Sequence, residues 1–437
     1  MTILDRKPSL SEVHRTIAIP NQGFWRKLLA YAGPGYLVSV GYMDPGNWAT
    51  DLAGGAKFGY ALLSVILLSN LMAVLLQALC VRLGVATGRD LAQVCRDRFS
   101  PKINFCLWVL CEIAIAACDL AELLGSAIAI QLLFGLPLIW GVCITALDVI
   151  VLLMLQQKGF RYVEALVIML VATVGICFAA EILFSKPDTG GILFGYAPKL
   201  AILQNPEMLY IAIGILGATV MPHNLYLHSA IVQTRAWEAT PKKKWEAIKF
   251  GTIDSTVALS FALFINSAIL IVSAATFHFS GYQDVAEIQE AYKLLSPLLG
   301  VSAASAIFGL ALLASGQSST LTATLAGQVV MEGFLNLRLP PWLRRLATRF
   351  LAIIPALIAI VYFGEHSTSN LIVLSQVILS LQLPFAVIPL VIFTSDRRLM
   401  GEFVNPKWLK WMAWAIAFVI TSLNLWLLWQ TFLNWLH

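Results

Sequence analysis

"YMDPGNWAT", residues 42–50, stands in the middle of an apolar run, 28–52, that is otherwise long enough to cross a membrane as one helix. A proline inside a helix removes a backbone donor and collides with the preceding turn, and a glycine beside it adds freedom, so Pro45 and Gly46 break the helix about half-way across. The carbonyls released by a break are tolerated in hydrocarbon only beside a buried cavity or a ligand. An ionisable group at that depth costs about 2.5–3.5 kcal/mol even on lenient scales. Asp44 and Asn47 at such a place point to binding.

The rest of the chain agrees with a membrane setting. Of 437 residues, 59% are hydrophobic and 12% charged, and the mean hydropathy is +0.80. That composition excludes an ordinary soluble enzyme. Eleven spans are expected, at 28–52, 61–81, 103–130, 136–156, 162–184, 207–232, 251–277, 300–331, 347–363, 371–394 and 411–432, each long enough to cross about 30 Å of hydrocarbon as helix. With the N-terminus in the cytoplasm, every Lys and Arg of the 29 falls inside except Lys57, Lys186, Lys199 and Lys293. Such a bias sets topology. It leaves no basic patch for nucleic acid, and no protein partner is implied. The expected setting is a multi-pass cell membrane protein, inner or plasma membrane, with the C-terminus outside. The first 25 residues lack an apolar core and a cleavage site, so no signal peptide is expected. The seven Cys include no C-x-x-C pair and read as packing residues.

A second break is written into span 6 as Met221-Pro222-His223-Asn224. Pro45 and Pro222 lie 177 residues apart, each in the first span of a five-span block. Five is odd, so the second block enters the membrane with the opposite orientation, as in inverted-repeat transporters whose two unwound helices face a shared site. The expected organisation is an N-terminal segment at 1–25, a first five-helix repeat at 26–200, a second at 201–395, and a loop with an eleventh helix at 396–437.

Asp44 supplies a carboxylate, Asn47 an amide oxygen, Met221 a thioether, and the backbone around Gly41 and Ala218 supplies carbonyls. Hard oxygens with one soft sulfur suit Mn²⁺, Fe²⁺, Co²⁺ or Cd²⁺ better than Mg²⁺ or Ca²⁺. These would be cargo, and no resident cofactor is expected.

"DPGN" and "MPHN", with "GQSSTLTATLAGQVVMEGF" at 316–334 taken as the segment between spans 8 and 9, resemble the Nramp family, the natural-resistance-associated macrophage protein type of divalent metal transporter. The resemblance runs from about residue 26 to 430. It implies an all-α LeuT-like fold and proton-coupled import of Mn²⁺ or Fe²⁺. By that pattern the ligands would be Asp44, Asn47, Met221 and the carbonyls of Gly41 and Ala218, joined in some conformations by Gln376. Residue 41 is Gly where relatives often carry Ala, which is expected to affect flexibility more than chemistry.

Span 3 carries Glu112, Asp119 and Glu122 at i, i+7 and i+10, on one helix face. Packing explains three such acids poorly. Arg344 and Arg345, at the start of span 9, can supply a partner charge, and the resemblance implies a proton route from Asp44 through these acids toward that Arg. His223 titrates in a useful range for tuning or relay, whereas His228 reads equally as a packing residue. Glu164, Glu181 and Asp254 are expected near enough to an interface to be solvated, and Asp148 is deeper, without an evident partner.

Three other functions are weaker. A sodium-coupled amino-acid carrier of the same fold holds a substrate carboxylate at half-helix N-termini, and Asp44 would repel it. A membrane metalloprotease lacks its H-E-x-x-H. An ion channel would need a pore loop or an oligomeric ring, and neither is visible.

Overall fold

The computed structural model describes residues 7–20, 23–145, 159–283, 285, 287–340, 343, 347, 353–358 and 368–436. The expected span 136–156 from residue 146 on, much of 347–363, and Asp148, Arg344 and Arg345 lie outside the described residues.

Proline, a polar cap or both start many of the helices. Pro occupies the first turn of α2 (Pro34–Gly41), α3 (Pro45–Phe58), α6 (Pro101–Phe134), α9 (Pro206–Thr219), α10 (Pro222–Ile231) and α11 (Pro241–Thr276), where its missing N–H is no loss. Side chains of Asp44, Ser100, Asn205 and Thr240 accept from the first-turn amides. The other helices of eight residues or more are α1 (Phe24–Tyr31), α4 (Leu63–Thr87), α5 (Leu91–Arg98), α7 (Leu138–Thr145), α8 (Phe160–Ser185), α12 (Ile288–Leu299), α13 (Ala304–Leu335), α14 (Thr368–Thr394) and α15 (Lys407–Leu436). Eight stretches among the described residues are long and apolar enough to cross a membrane. One of these, Pro45–Thr87, contains the second half of span 1 and all of span 2, because a 3-10 turn at Gly59–Leu62 joins α3 to α4 without a gap.

Three sequence expectations need correction. Span 1 is interrupted twice, since Gly33 at φ +137° and Pro34 set α1 apart from α2 before the break at Tyr42–Asp44. The 316–334 segment is the second half of α13 and not a connection between helices. Glu164, Glu181 and Asp254 are 2%, 0% and 3% exposed, and two of them are held by ion pairing or backbone amides.

Those two belong to a polar knot at the end of the bundle that carries most of the basic residues. Arg235 pairs with Glu164 at 2.6 Å and donates to the carbonyls of Ala30 and Ala32. Arg161 pairs with the other Glu164 oxygen at 3.0 Å and donates to the carbonyls of Leu29, Ala30 and Ala32. Asp254 accepts from the amides of Gly33 and Gly35. The gap between α1 and α2 is thereby gripped on its carbonyl side by two guanidiniums and on its amide side by a carboxylate, which satisfies the groups a helix end leaves over. A short parallel pairing of β1 (Ile17–Ala18) with β2 (Arg235–Ala236) ties the N-terminal segment to the same place.

The broken pairs α2–α3 and α9–α10 lie at the centre. α11 packs along α2, α3 and α4, α13 along α6, α8 and α10, and α14 along α6 and α9. Large exposed apolar side chains such as Ile176, Leu183, Trp411 and Phe418 sit on the outer helices α8 and α15, as a lipid-facing surface requires.

Candidate metal site

The prolines place the polar side chains. A residue before proline is driven to extended backbone, and both pre-proline residues obey: Asp44 at φ −68°, ψ 168° and Met221 at φ −63°, ψ 122°. Each extended residue swings its side chain into the gap between two half-helices. α2 and α9 end at this gap with carbonyls that their own helices leave free, and helix C-termini carry partial negative charge that favours a cation.

The gap converges on one point. Asn47 Nδ2 donates to Asp44 Oδ1 at 2.8 Å, to the Ala218 carbonyl at 3.1 Å and to the Gly41 carbonyl at 3.3 Å. Three oxygens from two helix breaks thus surround a single donor atom. Asp44 Oδ1 also caps the Asn47 amide at 2.9 Å, while Asp44 Oδ2 finds no partner among the described residues. Asn47 Oδ1 points away and accepts from Asn266 Nδ2 at 3.2 Å, which also donates to the Tyr42 carbonyl at 2.8 Å. An amide nitrogen here occupies the position a cation would take. Metal–oxygen distances of about 2.0–2.6 Å need only a short inward movement of the three oxygens and a rotation of the Asn47 amide to present Oδ1.

Met221 and Gln376 flank this point. Asn224 Nδ2 lies 3.6 Å from the Met221 sulfur. A methyl added to Gly41 would overlap Asn224 Nδ2 and come to 3.1 Å from that sulfur. Gly41 therefore makes room for its neighbours, a packing role where flexibility was expected. A methyl on Gly46 would overlap the Gln376 amide nitrogen, so that side chain lies directly against the break. Gln376 Oε1, Thr219 Oγ1 and Asn224 Oδ1 are buried without hydrogen-bond partners among the described residues. Orphaned buried acceptors at this density are costly unless a ligand uses them. Asp44, Asn47, Ala218, Met221 and Gln376 are at most 1% exposed. No three of His, Cys, Asp and Glu meet in a metal-ligand group among the described residues, so the donor set is mixed.

The remaining expected residues separate into groups. Asp119 and Glu122 are buried on α6, 7% and 1% exposed, and Cys118 Sγ lies 3.6 Å from Glu122 Oε1. Glu112 is half-buried and accepts from Trp108 Nε1 at 3.0 Å, within its own helix. His223 is buried beside the break, and its Nδ1 has no partner among the described residues. His228 belongs elsewhere: its Nδ1 donates to Gln77 Oε1 at 2.8 Å, and Gln77 Nε2 donates to the Tyr42 hydroxyl at 2.7 Å. This chain links α10 through α4 to the residue after α2. Sequence reasoning missed Tyr42, Gln77, Asn224 and Asn266. Asn224 and Asn266 had a signal, as amides at apolar depth, whereas Gln77 and Tyr42 acquire meaning only through partners far along the chain.

Comparison with known proteins gives a consistent set of relatives. Residues 35–430 match the family described as "Natural resistance-associated macrophage protein-like". A "Divalent metal cation transporter MntH" of Nostoc sp. is 82% identical over 437 residues, covering 100% of this chain and 99% of the relative. A protein of the same name from Bradyrhizobium diazoefficiens is 63% identical, over 98% of this chain and 95% of its own. A crystal structure of the Eremococcus coleocola manganese transporter, in complex with an aromatic bis-isothiourea substituted compound, superposes with a TM-score of 0.89 at 42% identity, covering 96% of this chain and 90% of that one. A nucleobase-cation-symport-1 family transporter in a closed conformation shares the fold alone, with a TM-score of 0.59 at 13% identity over 91% of this chain and 92% of that chain.

Proposed function

Because the chain belongs to the natural resistance-associated macrophage protein-like family, we propose that it moves Mn²⁺, and with the same ligands Fe²⁺, Cd²⁺ or Co²⁺, across a cell membrane into the cytoplasm together with protons, by alternating access. The observation that carries this reading is the convergence of Asp44 Oδ1 and the Gly41 and Ala218 carbonyls on the Asn47 amide nitrogen, with the Met221 sulfur alongside. Two neutral carbonyls, one carboxylate, one amide and one thioether hold a dication with a single compensating charge. The sulfur tips selection toward softer transition metals, because a hard ion exchanging water for sulfur loses more than it gains. The distribution of basic residues supports a cytoplasmic side for the N-terminus and for the Arg161–Glu164–Arg235 knot.

In the proposed cycle Asp44 is both ligand and proton acceptor, and Asp119 and Glu122, buried on the neighbouring α6, receive the proton when metal takes the carboxylate. Arg344 or Arg345 is the proposed charge that draws it toward the cytoplasm. His223 is the second acceptor beside the break. His228, Gln77 and Tyr42 form a polar plug below it, on the path from the site to the cytoplasm.

The experiment is uptake of Mn²⁺ into sodium-free liposomes containing the purified protein, with internal pH recorded in the same vesicles and Ca²⁺ and Mg²⁺ as competitors. Mn²⁺ entry accompanied by acidification and little affected by Mg²⁺ is the expected result. Uptake that requires Na⁺, or no metal uptake at all, overturns the reading.

A further inference from the structure

A groove on the lipid-facing surface, away from the proposed metal site, has the chemistry of a specific lipid seat. Its volume is about 370 Å³. Leu68 and Met72 of α4 form one wall, Ala212 and Leu216 of α9 the second, and Val419 and Leu423 of α15 the third, with Lys199 at its mouth. The groove follows α9 from Leu209 to Leu216, a rise of about 10 Å, or some two-thirds of a ~15 Å leaflet. It lies at the end of the bundle opposite the arginine knot, which is the outer leaflet in the orientation proposed above.

Its occupant is set by two observations. The walls are aliphatic and open sideways: Leu68 is 46% and Val419 43% exposed, so in a bilayer the material that reaches them is hydrocarbon. The mouth carries a cation without a counter-charge. Lys199 is exposed and forms no ion pair among the described residues; of the acids next to it along the chain, Glu207 pairs with Lys57 and Asp188 accepts from the amides of Gly190 and Gly191. Lys199 is also one of only four basic residues on that side. An ammonium at headgroup depth above an apolar slot of acyl-chain length matches an anionic phospholipid, phosphate on Lys199 and one chain in the groove.

We propose that this groove binds one anionic phospholipid of the outer leaflet. The site goes beyond metal transport and depends on it in no way, but it bears on it, because Leu216 in the wall stands two residues from the Ala218 carbonyl at the end of the same half-helix. A chain seated there braces α9 against α4 and α15.

The test is native mass spectrometry of the intact full-length protein in detergent, titrated with phosphatidylglycerol and with phosphatidylcholine of identical acyl chains. The first phosphatidylglycerol should bind about fivefold more tightly than the first phosphatidylcholine, the contribution of one lysine near a membrane phosphate. Lys199→Gln, a surface change that leaves the apolar walls intact, should make the two equal. Val419→Trp should fill the groove from α15 and remove the first site for both lipids, while Leu374→Trp, exposed on α14 outside the groove, should leave it intact. Equal affinities in the unmodified protein, a preference that survives Lys199→Gln, or an undiminished first site in Val419→Trp overturns the proposal. So does a doubled mass without lipid, which would mean that a second copy of the chain covers the groove.

Discussion

Asp44 has two duties that substitution can separate, since its carboxylate caps α3 through the Asn47 amide and also supplies the charge at the point where the two breaks meet. Asp44→Asn keeps a capping oxygen, whereas Asp44→Ala loses the cap at a cost of about 1 kcal/mol as well as the charge. Both should abolish Mn²⁺ uptake, with the Ala protein also melting lower in detergent. Near-normal uptake by the Asn protein would remove Asp44 from the site. Met221→Ala should weaken Cd²⁺ transport more than Mn²⁺ and relax exclusion of Ca²⁺ and Mg²⁺. An unchanged competition panel would make Met221 a packing residue. Gly46→Ala places a methyl where the Gln376 amide nitrogen lies. It should cut uptake at least tenfold in a protein that still folds, and the loss should be relieved in part by Gln376→Ala; measured uptake in the double variant decides the point. At this scale the sequence exposed residues whose type is anomalous for their depth, Asp44 above all. It could not expose Gln77 or Tyr42, which are ordinary residues made important by a hydrogen bond across 35 positions.

α6 is the element on which the proposed proton coupling turns. Asp119→Asn with Glu122→Gln keeps shape and hydrogen bonding but removes two groups able to release a proton at neutral pH. Mn²⁺ binding should survive, because no ligand is altered, while acidification per metal and the dependence of uptake on external pH should fall together. If the acids serve only to hold the bundle, expression and melting temperature drop and the ratio of fluxes stays as it was. The breaks in α2–α3 and α9–α10 were legible because proline dictates both where a helix restarts and how the residue before it is posed. The second interruption, between α1 and α2, was written just as plainly in Gly33-Pro34 and was hidden by the apolar run around it. The expected span 300–331 already contained Ser318, Ser319, Thr322 and Thr324, and only the resemblance cast 316–334 as a connection; these hydroxyls return their hydrogen bonds to carbonyls one turn back and the stretch remains helical.

For the whole molecule, the arginine knot is expected to set how firmly one end of the bundle is shut. Glu164→Gln leaves Arg235, 1% exposed, without its anionic partner, and breaking a buried pair in this way costs about 3–5 kcal/mol. The expected outcome is a lower melting temperature in detergent and faster alkylation, from the side proposed to be cytoplasmic, of a cysteine introduced at Ala30. Equal alkylation rates in the two proteins would mean that the knot is not a closure. The inverted topology was readable from charge and from the spacing of two prolines, but the knot was not, because Glu164, Arg235 and Asp254 come together only when α8, β2 and α11 pack, and each alone looked like an interfacial charge. The Asn47 amide nitrogen among three oxygens bears on the part of the cycle that carries no cargo. A carrier returning empty must take bare carbonyls and a carboxylate through a dry interior, and without a substitute it would have to borrow a stray ion or stall. In the cycle proposed above Asn47 would be that substitute: by turning one side chain, the protein would lend itself a surrogate for the cation on the homeward half of the journey and withdraw it when metal arrives.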